Sequence, residues 1–156
     1  MINLNNHVFG TVATRTPVIS EAVATRSLNE TESGSVCCFD RAAGIVYTLP
    51  AACAVGTYFD FVTTVTITSG AAKVITGAGT ELMVGQITNV DTDTSDAVAI
   101  WKSLVATSNI AVSMNGTTTG GIIGDYLHCV KVTSTKWSVT GVTTATGTVA
   151  TPFATS

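Results

Sequence analysis

Alternation of apolar with other side chains, interrupted by glycine-containing turns, is the feature that most constrains the fold of this chain. It is strongest over residues 111–141, AVSMNGTTTGGIIGDYLHCVKVTSTKWSVTG. Alternation at a period of two is typical of strands with one face on a core, and Asn-Gly and Gly-Asp pairs are typical of tight turns. The stretch therefore predicts strands over residues 110–114, 126–133 and 137–141, joined as antiparallel hairpins.

The rest of the chain carries the same signal in shorter runs. Tyr58, Asp60 and Val62 share one face of a predicted strand, and Phe59 and Phe61 share the other. Because both faces carry apolar side chains, we expect this strand to be central in its sheet. Further strands are predicted over residues 35–39, 45–49, 72–76, 81–88 and 98–104. Many short strands separated by turn residues indicate an all-β fold, an antiparallel β-sandwich or jelly-roll-like domain over residues 33–142.

The two ends of the chain have a different character. Residues 1–32 lack sustained alternation, and we interpret them as an extended N-terminal arm; a tail that stays disordered is the alternative. A short helix over residues 20–28 is predicted within this segment, with Ser20 as its N-cap. Residues 143–156 form a C-terminal tail rich in Thr, Ala and Gly that either wraps a neighbouring subunit or frays. If the arm binds a partner, its contacts are six irregularly spaced apolar residues: Ile2, Leu4, Val8, Phe9, Val18 and Ile19.

The chain carries few charges for its size. Charged residues make up 11% and hydrophobic residues 46% of the 156 positions, and threonine supplies 29 of them. An ordinary globular domain has roughly 25% charged residues. A surface with so few charges indicates that another molecule covers much of it, through oligomerisation or through docking onto a larger assembly.

The charge pattern also argues against two classes of partner. The net charge is −3, and the seven Lys and Arg residues form no run that would follow a phosphate backbone, so no nucleic acid is expected. The most apolar segment is interrupted by Pro50, Gly56 and Asp60, which argues against a membrane span. The first ten residues lack the basic and apolar regions of a secretory signal, so we expect assembly in a cytoplasm.

Two groups of residues could carry chemistry, and each has a plainer interpretation. Asp91, Asp93 and Asp96 alternate as in a calcium-binding loop, but the glycine and glutamate that an EF-hand loop needs are missing. A solvated turn is favoured. His128 and Cys129 are neighbours in a predicted strand, so their side chains point apart and cannot share a proton. We therefore predict no catalytic residue, no metal site and no cofactor, and we do not expect an enzyme.

The cysteines and aromatic residues leave alternatives open. Cys37, Cys38, Cys53 and Cys129 have neither a C-x-x-C nor a zinc spacing, and we expect them to be reduced and largely buried. A Cys38–Cys53 bridge is the alternative. Tyr126 and Trp137 are either hairpin core or an aromatic platform for sugars.

Two long segments resemble a known class of protein. They are YTLPAACAVGTYFDFVTTVTITSGAAKVITGAGTELMVGQI and SMNGTTTGGIIGDYLHCVKVTSTKWSVTG, which together lie within residues 34–142. In their order and spacing of motifs they resemble small β-rich structural proteins of tailed bacteriophages, with those of cyanobacterial and marine phages most similar. The residues that carry the resemblance are Thr48, Leu49, Pro50, Gly56, Tyr58, Phe61, Ile75, Gly77, Gly124, Trp137 and Gly141.

The resemblance implies a function in virion assembly and supplies no catalytic residues. Proteins of this type include capsid decoration (cement) proteins, in which trimers on the outer capsid surface lock neighbouring major capsid proteins together, often through an extended arm. The leading expectation is therefore a homotrimeric decoration protein, located on the capsid surface of the virion and assembled in the cytoplasm of the bacterial host. The alternative is a head or tail fibre or spike module that binds host-surface glycan through Tyr126 and Trp137.

Overall fold

Two β-sheets packed face to face make up the computed structural model, which describes residues 15–93 and 98–156. This confirms the all-β sandwich. Two single-turn 3₁₀ helices, Glu30–Glu32 and Val105–Thr107, accompany the strands. The described strands are β1 (Val18–Ile19), β2 (Thr25–Ser27), β3 (Val36–Phe39), β4 (Val46–Thr48), β5 (Tyr58–Thr63), β6 (Ala72–Ile75), β7 (Leu82–Asp91), β8 (Val98–Ser103), β9 (Ala111–Met114), β10 (Tyr126–Thr133), β11 (Lys136–Ala145) and β12 (Phe153–Ala154).

The first six strands alternate between the two sheets. The seven-stranded sheet has the order β1-β3-β5-β10-β11-β7-β8, and the five-stranded sheet has the order β12-β9-β6-β4-β2. A chain that crosses to the other sheet and back returns in its original direction, so β1, β3 and β5 are parallel, as are β2, β4 and β6. The sheets are therefore mixed, not purely antiparallel, and a jelly roll is not confirmed.

The predicted hairpins over residues 111–141 are half correct. Strands β10 and β11 form the expected antiparallel hairpin, with Cys129 opposite Val139. Strand β9, however, lies in the other sheet between β6 and β12. The connection from β9 to β10 crosses the sandwich. On it, Gly116 adopts a φ of 80° and lies so close to Ile67 that a Cβ would overlap the Ile67 carbonyl oxygen.

The core between the sheets is built around aromatic side chains from both of them. Phe39 and Phe61 of the larger sheet pack on Tyr47 of the smaller one, with ring centroids 5.4–5.9 Å apart. The Tyr47 hydroxyl donates a hydrogen bond to the Cys38 carbonyl oxygen at 2.9 Å, which satisfies its one buried polar group. Trp137 is the largest of the fully buried side chains.

The part of the predicted arm that the structure describes lies against the sandwich. Strand β1 pairs with β3, strand β2 pairs with β4, and the Leu28 side chain is buried in the core. The helix predicted over residues 20–28 is wrong. Asp40 accepts hydrogen bonds from the Ser20 hydroxyl at 2.6 Å and from the Ala22 N–H at 2.9 Å, and Ala22 has a φ of 47°, which interrupts any helix there.

The C-terminal tail also packs on its own domain. Its first residues, Thr143 to Ala145, continue β11. Phe153 is 7% exposed within the hydrophobic core, and β12 pairs with β9. The tail is therefore part of the sandwich.

Candidate functional site

The outer face of the seven-stranded sheet is the candidate site. We use "outer face" for the side chains that β1, β3, β5, β10, β11, β7 and β8 direct away from the five-stranded sheet. Strand register aligns them in rows. One row runs Cys38, Val62, Tyr126, Val142, Thr88, Ile100, and the next runs Val18, Val36, Asp60, His128, Thr140, Gln86, Lys102.

This face is open to solvent, and several of its exposed side chains are apolar. Val142 is 53% exposed, Val98 is 61% exposed and Ile100 is 65% exposed. Single exposed hydrophobic residues are normal on protein surfaces, whereas contiguous ones indicate a contact surface. The outer face is therefore a surface on which uncharged, apolar side chains are exposed to solvent.

A cluster of polar and aromatic side chains lies in the middle of the outer face. Asp60 of β5 is directly opposite His128 of β10, and its Oδ1 lies 2.7 Å from His128 Nδ1. The same oxygen accepts a hydrogen bond from the Tyr126 hydroxyl at 2.6 Å. The ring of Tyr58 is 5.7 Å from the imidazole of His128. We call these four residues the central cluster.

The central cluster is suited to hydrogen bonding and stacking. Burial, together with the hydrogen bond to Asp60, raises the pKa of Tyr126 to about 12, so its hydroxyl stays protonated and donates. Cys129 lies on the opposite face of β10 and is fully buried, as the sequence predicted, and burial raises the pKa of its thiol. A His128–Cys129 pair for nucleophilic catalysis is therefore not formed.

The aromatic platform that was the alternative for Tyr126 and Trp137 is not formed. Tyr126 is 41% exposed on the outer face, whereas Trp137 is 0% exposed in the core. The Trp137 indole N–H donates to Glu81 Oε2 at 3.1 Å, so even its polar edge is used internally. Tyr58, at 40% exposure, is the aromatic neighbour that sequence reasoning missed. Its alternation with Asp60 was visible, but the pairing of β5 with β10 was not.

The arm residues that the structure describes have different environments. Val18 is 63% exposed and lies beside Val36 at the margin of the outer face, so it is available to a partner. Ile19 is 9% exposed and belongs to the core of its own domain. The other proposed contacts, Ile2, Leu4, Val8 and Phe9, lie outside the described residues, and their partner-binding role stays a prediction.

The aspartate loop has an internal structural role. Asp91 Oδ1 accepts the Asp93 N–H at 3.1 Å, and Asp93 Oδ2 accepts the Gly147 N–H at 2.6 Å, which ties the loop to the end of β11. Asp96 lies outside the described residues. Over 15–93 and 98–156, no group of three or more His, Cys, Asp or Glu side chains is arranged to hold a metal ion.

All four cysteines are free thiols, so the alternative Cys38–Cys53 bridge is absent. Cys37 points into the core and Cys38 lies 8% exposed on the outer face, in keeping with neighbouring positions on one strand.

Among the described residues, no helix has the length and apolar character to cross a bilayer. No family model, curated protein or solved structure matches this chain.

Proposed function

We propose that this protein is a structural component of a phage virion, a capsid decoration protein that binds the outer capsid surface through its own outer face. The observation that carries the proposal is the exposure of apolar side chains on the outer face, among them Val98, Ile100 and Val142. The resemblance of residues 34–142 to small phage structural proteins and the low charge content support it. In this proposal the partner is the major capsid protein, and assembly takes place in the cytoplasm of the bacterial host.

The size of the outer face suits such a contact. Six interstrand spacings of about 4.8 Å and strands of about six residues, at about 3.3 Å each, give a flat footprint of roughly 600 Å². A standard protein–protein interface buries about 800 Å² on each partner, which is of the same order. The central cluster would supply directional hydrogen bonds that orient the contact.

Stabilisation of the shell would follow from mass action. A protein that binds the assembled shell but not its separated subunits lowers the free energy of the shell by the binding free energy. Several subunits joined together multiply weak contacts through avidity. The trimer that the resemblance implies stays a prediction, as does the contribution of residues 1–14.

A matched pair of variants tests the role of the outer face. Val142→Asp places a charge in the middle of the face, whereas Val55→Asp places one at a residue that is 62% exposed in the loop before β5. Both variants keep an exposed side chain, so the fold is retained. In cosedimentation with phage shells that lack the protein, Val142→Asp loses binding and Val55→Asp keeps it. Equal binding by the two variants would refute the proposal.

Glycan binding remains the second candidate because of the central cluster. Two half-exposed tyrosine rings on either side of a carboxylate and an imidazole are groups that can stack on a sugar ring and hydrogen-bond its hydroxyls. The outcome for the double variant Tyr58→Ala/Tyr126→Ala separates the candidates. Loss of glycan-array binding with shell binding intact supports the fibre or spike function. Loss of shell binding with glycan-array binding intact supports decoration.

A further inference from the structure

We propose that β8 is a self-association site, at which two copies of this chain pair edge to edge and continue the seven-stranded sheet across a twofold axis. Strand β8 is at the end of that sheet and, within the part of the chain that the structure describes, pairs only with β7. The backbone groups along its other side are the hydrogen-bonding groups that strand addition uses.

The lengths of the sheet edges select β8 as its own partner. The other three edge strands are β1 and β12, with two residues each, and β2, with three. Strand β8 has six residues. Because the shorter strand limits a ladder, β8 against any other described edge would pair only two or three residues. An antiparallel β8–β8 pair uses nearly the whole strand in both copies, which gives a closed, isologous contact.

The side chains of β8 are mostly apolar, as expected for an edge strand that pairs with another strand. Val98 and Ile100 are 61% and 65% exposed, and Lys102 is the single charged residue of the strand. Soluble proteins usually protect a long edge with charges, proline or a bulge, and β8 has little of this protection. Pairing two copies would bury the backbone edge and bring four apolar side chains together on the outer face.

Strand geometry then fixes the register. Directly opposed residues in an antiparallel pair lie on the same face, so Val98, Ile100 and Lys102 can oppose only one another. A twofold axis at Ile100 places Ile100 opposite its own copy and Val98 opposite Lys102. On the inner side, the large Trp101 then lies opposite the small Ala99. The two lysines fall at opposite ends of the ladder, where they do not repel each other.

An axis at Trp101 is the competing register, and it fits less well. It would set two indole rings against each other on the inner side, where Trp101 already packs against the hydrophobic core. The Ile100 register avoids this conflict.

Cysteine cross-linking tests the axis. Oxidised Ile100→Cys should form a disulfide-linked dimer, because the Cα atoms of directly opposed residues lie about 4.5–5.5 Å apart, within the roughly 4.4–6.8 Å that a disulfide spans. Val98→Cys, the matched control on the same strand and face, should not, since its partner is Lys102. The double variant Val98→Cys/Lys102→Cys should cross-link again. Equal cross-linking of the two single variants would overturn the proposal.

Sedimentation equilibrium tests the association without a covalent bond. The wild-type chain should sediment as a concentration-dependent dimer. Ile100→Lys should weaken the dimer at least about tenfold, because two lysines would face each other on the axis. Thr88→Lys, one strand inward on the same face, should not weaken it.

Three results of the sedimentation experiment contradict the proposal: a monomer at all concentrations, a trimer unaffected by Ile100→Lys, or a dimer lost on deletion of residues 1–14. The last would mean that the N-terminal segment, not β8, makes the contact. The measurements use the isolated protein, so their failure leaves the proposed binding of the outer face to a phage shell untouched. Conversely, a β8 dimer that binds no shell would refute the proposed function and keep this inference.

Discussion

Lys131 and Glu81 form an ion pair inside the sandwich, with side chains 1% and 4% exposed. The carboxylate also accepts the Trp137 indole N–H at 3.1 Å, and the Lys131 ammonium lies 5.1 Å from the centre of the Trp137 ring. One acidic, one basic and one aromatic side chain thus contact each other where all three are almost fully buried. Burying two charges costs free energy that this geometry offsets, so removing one partner is more damaging than replacing both.

We expect Glu81→Leu to lower the free energy of unfolding by about 3–5 kcal/mol, because it leaves the Lys131 charge buried without a partner. The double variant Glu81→Leu/Lys131→Met should recover much of this loss. Urea denaturation of Glu81→Leu, Lys131→Met and the double variant measures the coupling directly. Additive losses would show that the two charges do not interact.

Asp125 should make stability depend on pH. Its Oδ2 accepts the Gly121 and Ile122 N–H groups at 2.7 and 3.1 Å, and its Oδ1 accepts the Thr144 N–H at 2.8 Å. Burial raises its pKa above the ordinary 3.8, although these N–H groups oppose the shift. The stabilisation that Asp125 provides is therefore complete below 3.8 and declines as the pH rises through the raised value.

The non-titrating variant Asp125→Asn isolates this effect. Contributions of the other carboxyl groups cancel when the free energy of unfolding of the variant is subtracted from that of the wild type. We expect the difference to be largest at acidic pH and to shrink toward neutrality. A difference that grows as the pH rises would contradict the raised pKa.

Gly116 and Gly147 form a matched pair for substitution. Both have positive φ, 80° and 72°, but a Cβ at Gly147 meets nothing within 4 Å, whereas one at Gly116 overlaps the Ile67 carbonyl oxygen. Gly147→Ala should cost about 1–2 kcal/mol from the left-handed backbone alone. Gly116→Ala should lower the free energy of unfolding by clearly more than this, and it should therefore show the lower melting temperature of the two variants. Equal costs would show that the crossing from β9 to β10 has room to move.

Thiol labelling should distinguish the cysteines. Burial raises the pKa of Cys37 to about 12, and Cys129 is 0% exposed. Cys53, which is partly exposed, should therefore react first with iodoacetamide in the folded protein, and Cys37 and Cys129 should react only on unfolding. Mass spectrometry of tryptic peptides at successive times measures the order. Early labelling of Cys37 would show that the edge of the sandwich at β1 and β3 opens.

The sequence predicted which residues form strands, but not which strands pair with each other. Period-two alternation correctly assigned Phe59 and Phe61 to one face of β5 and Asp60 to the other, and it placed His128 and Cys129 on opposite faces. Alternation says nothing about which strand lies alongside or in which direction it runs. The crossings that make β1, β3 and β5 parallel were therefore not predictable from it.

The candidate site was missed for the same reason. Tyr58 and Asp60 come close to Tyr126 and His128 only because β5 pairs with β10, and no local pattern records that register. Trp137 was assigned to the correct strand, but its buried indole N–H is satisfied by Glu81, which lies just before β7. A buried hydrogen-bond acceptor that is distant in the chain leaves no pattern in the sequence around the donor residue.

The parallel pairing of β7 with β11 has a consequence for how the chain is made. Lys136 pairs with Leu82 and Ala145 with Asp91, so every residue of this ladder meets a partner synthesised much earlier. Until β11 leaves the ribosome, β7 and β8 have no sheet to join, because only β11 connects them to β10 and the strands beyond. Pairings between such distant segments form slowly. The seven-stranded sheet therefore closes only after β11 has been synthesised, and β7 and β8 join the rest of the sheet at that point.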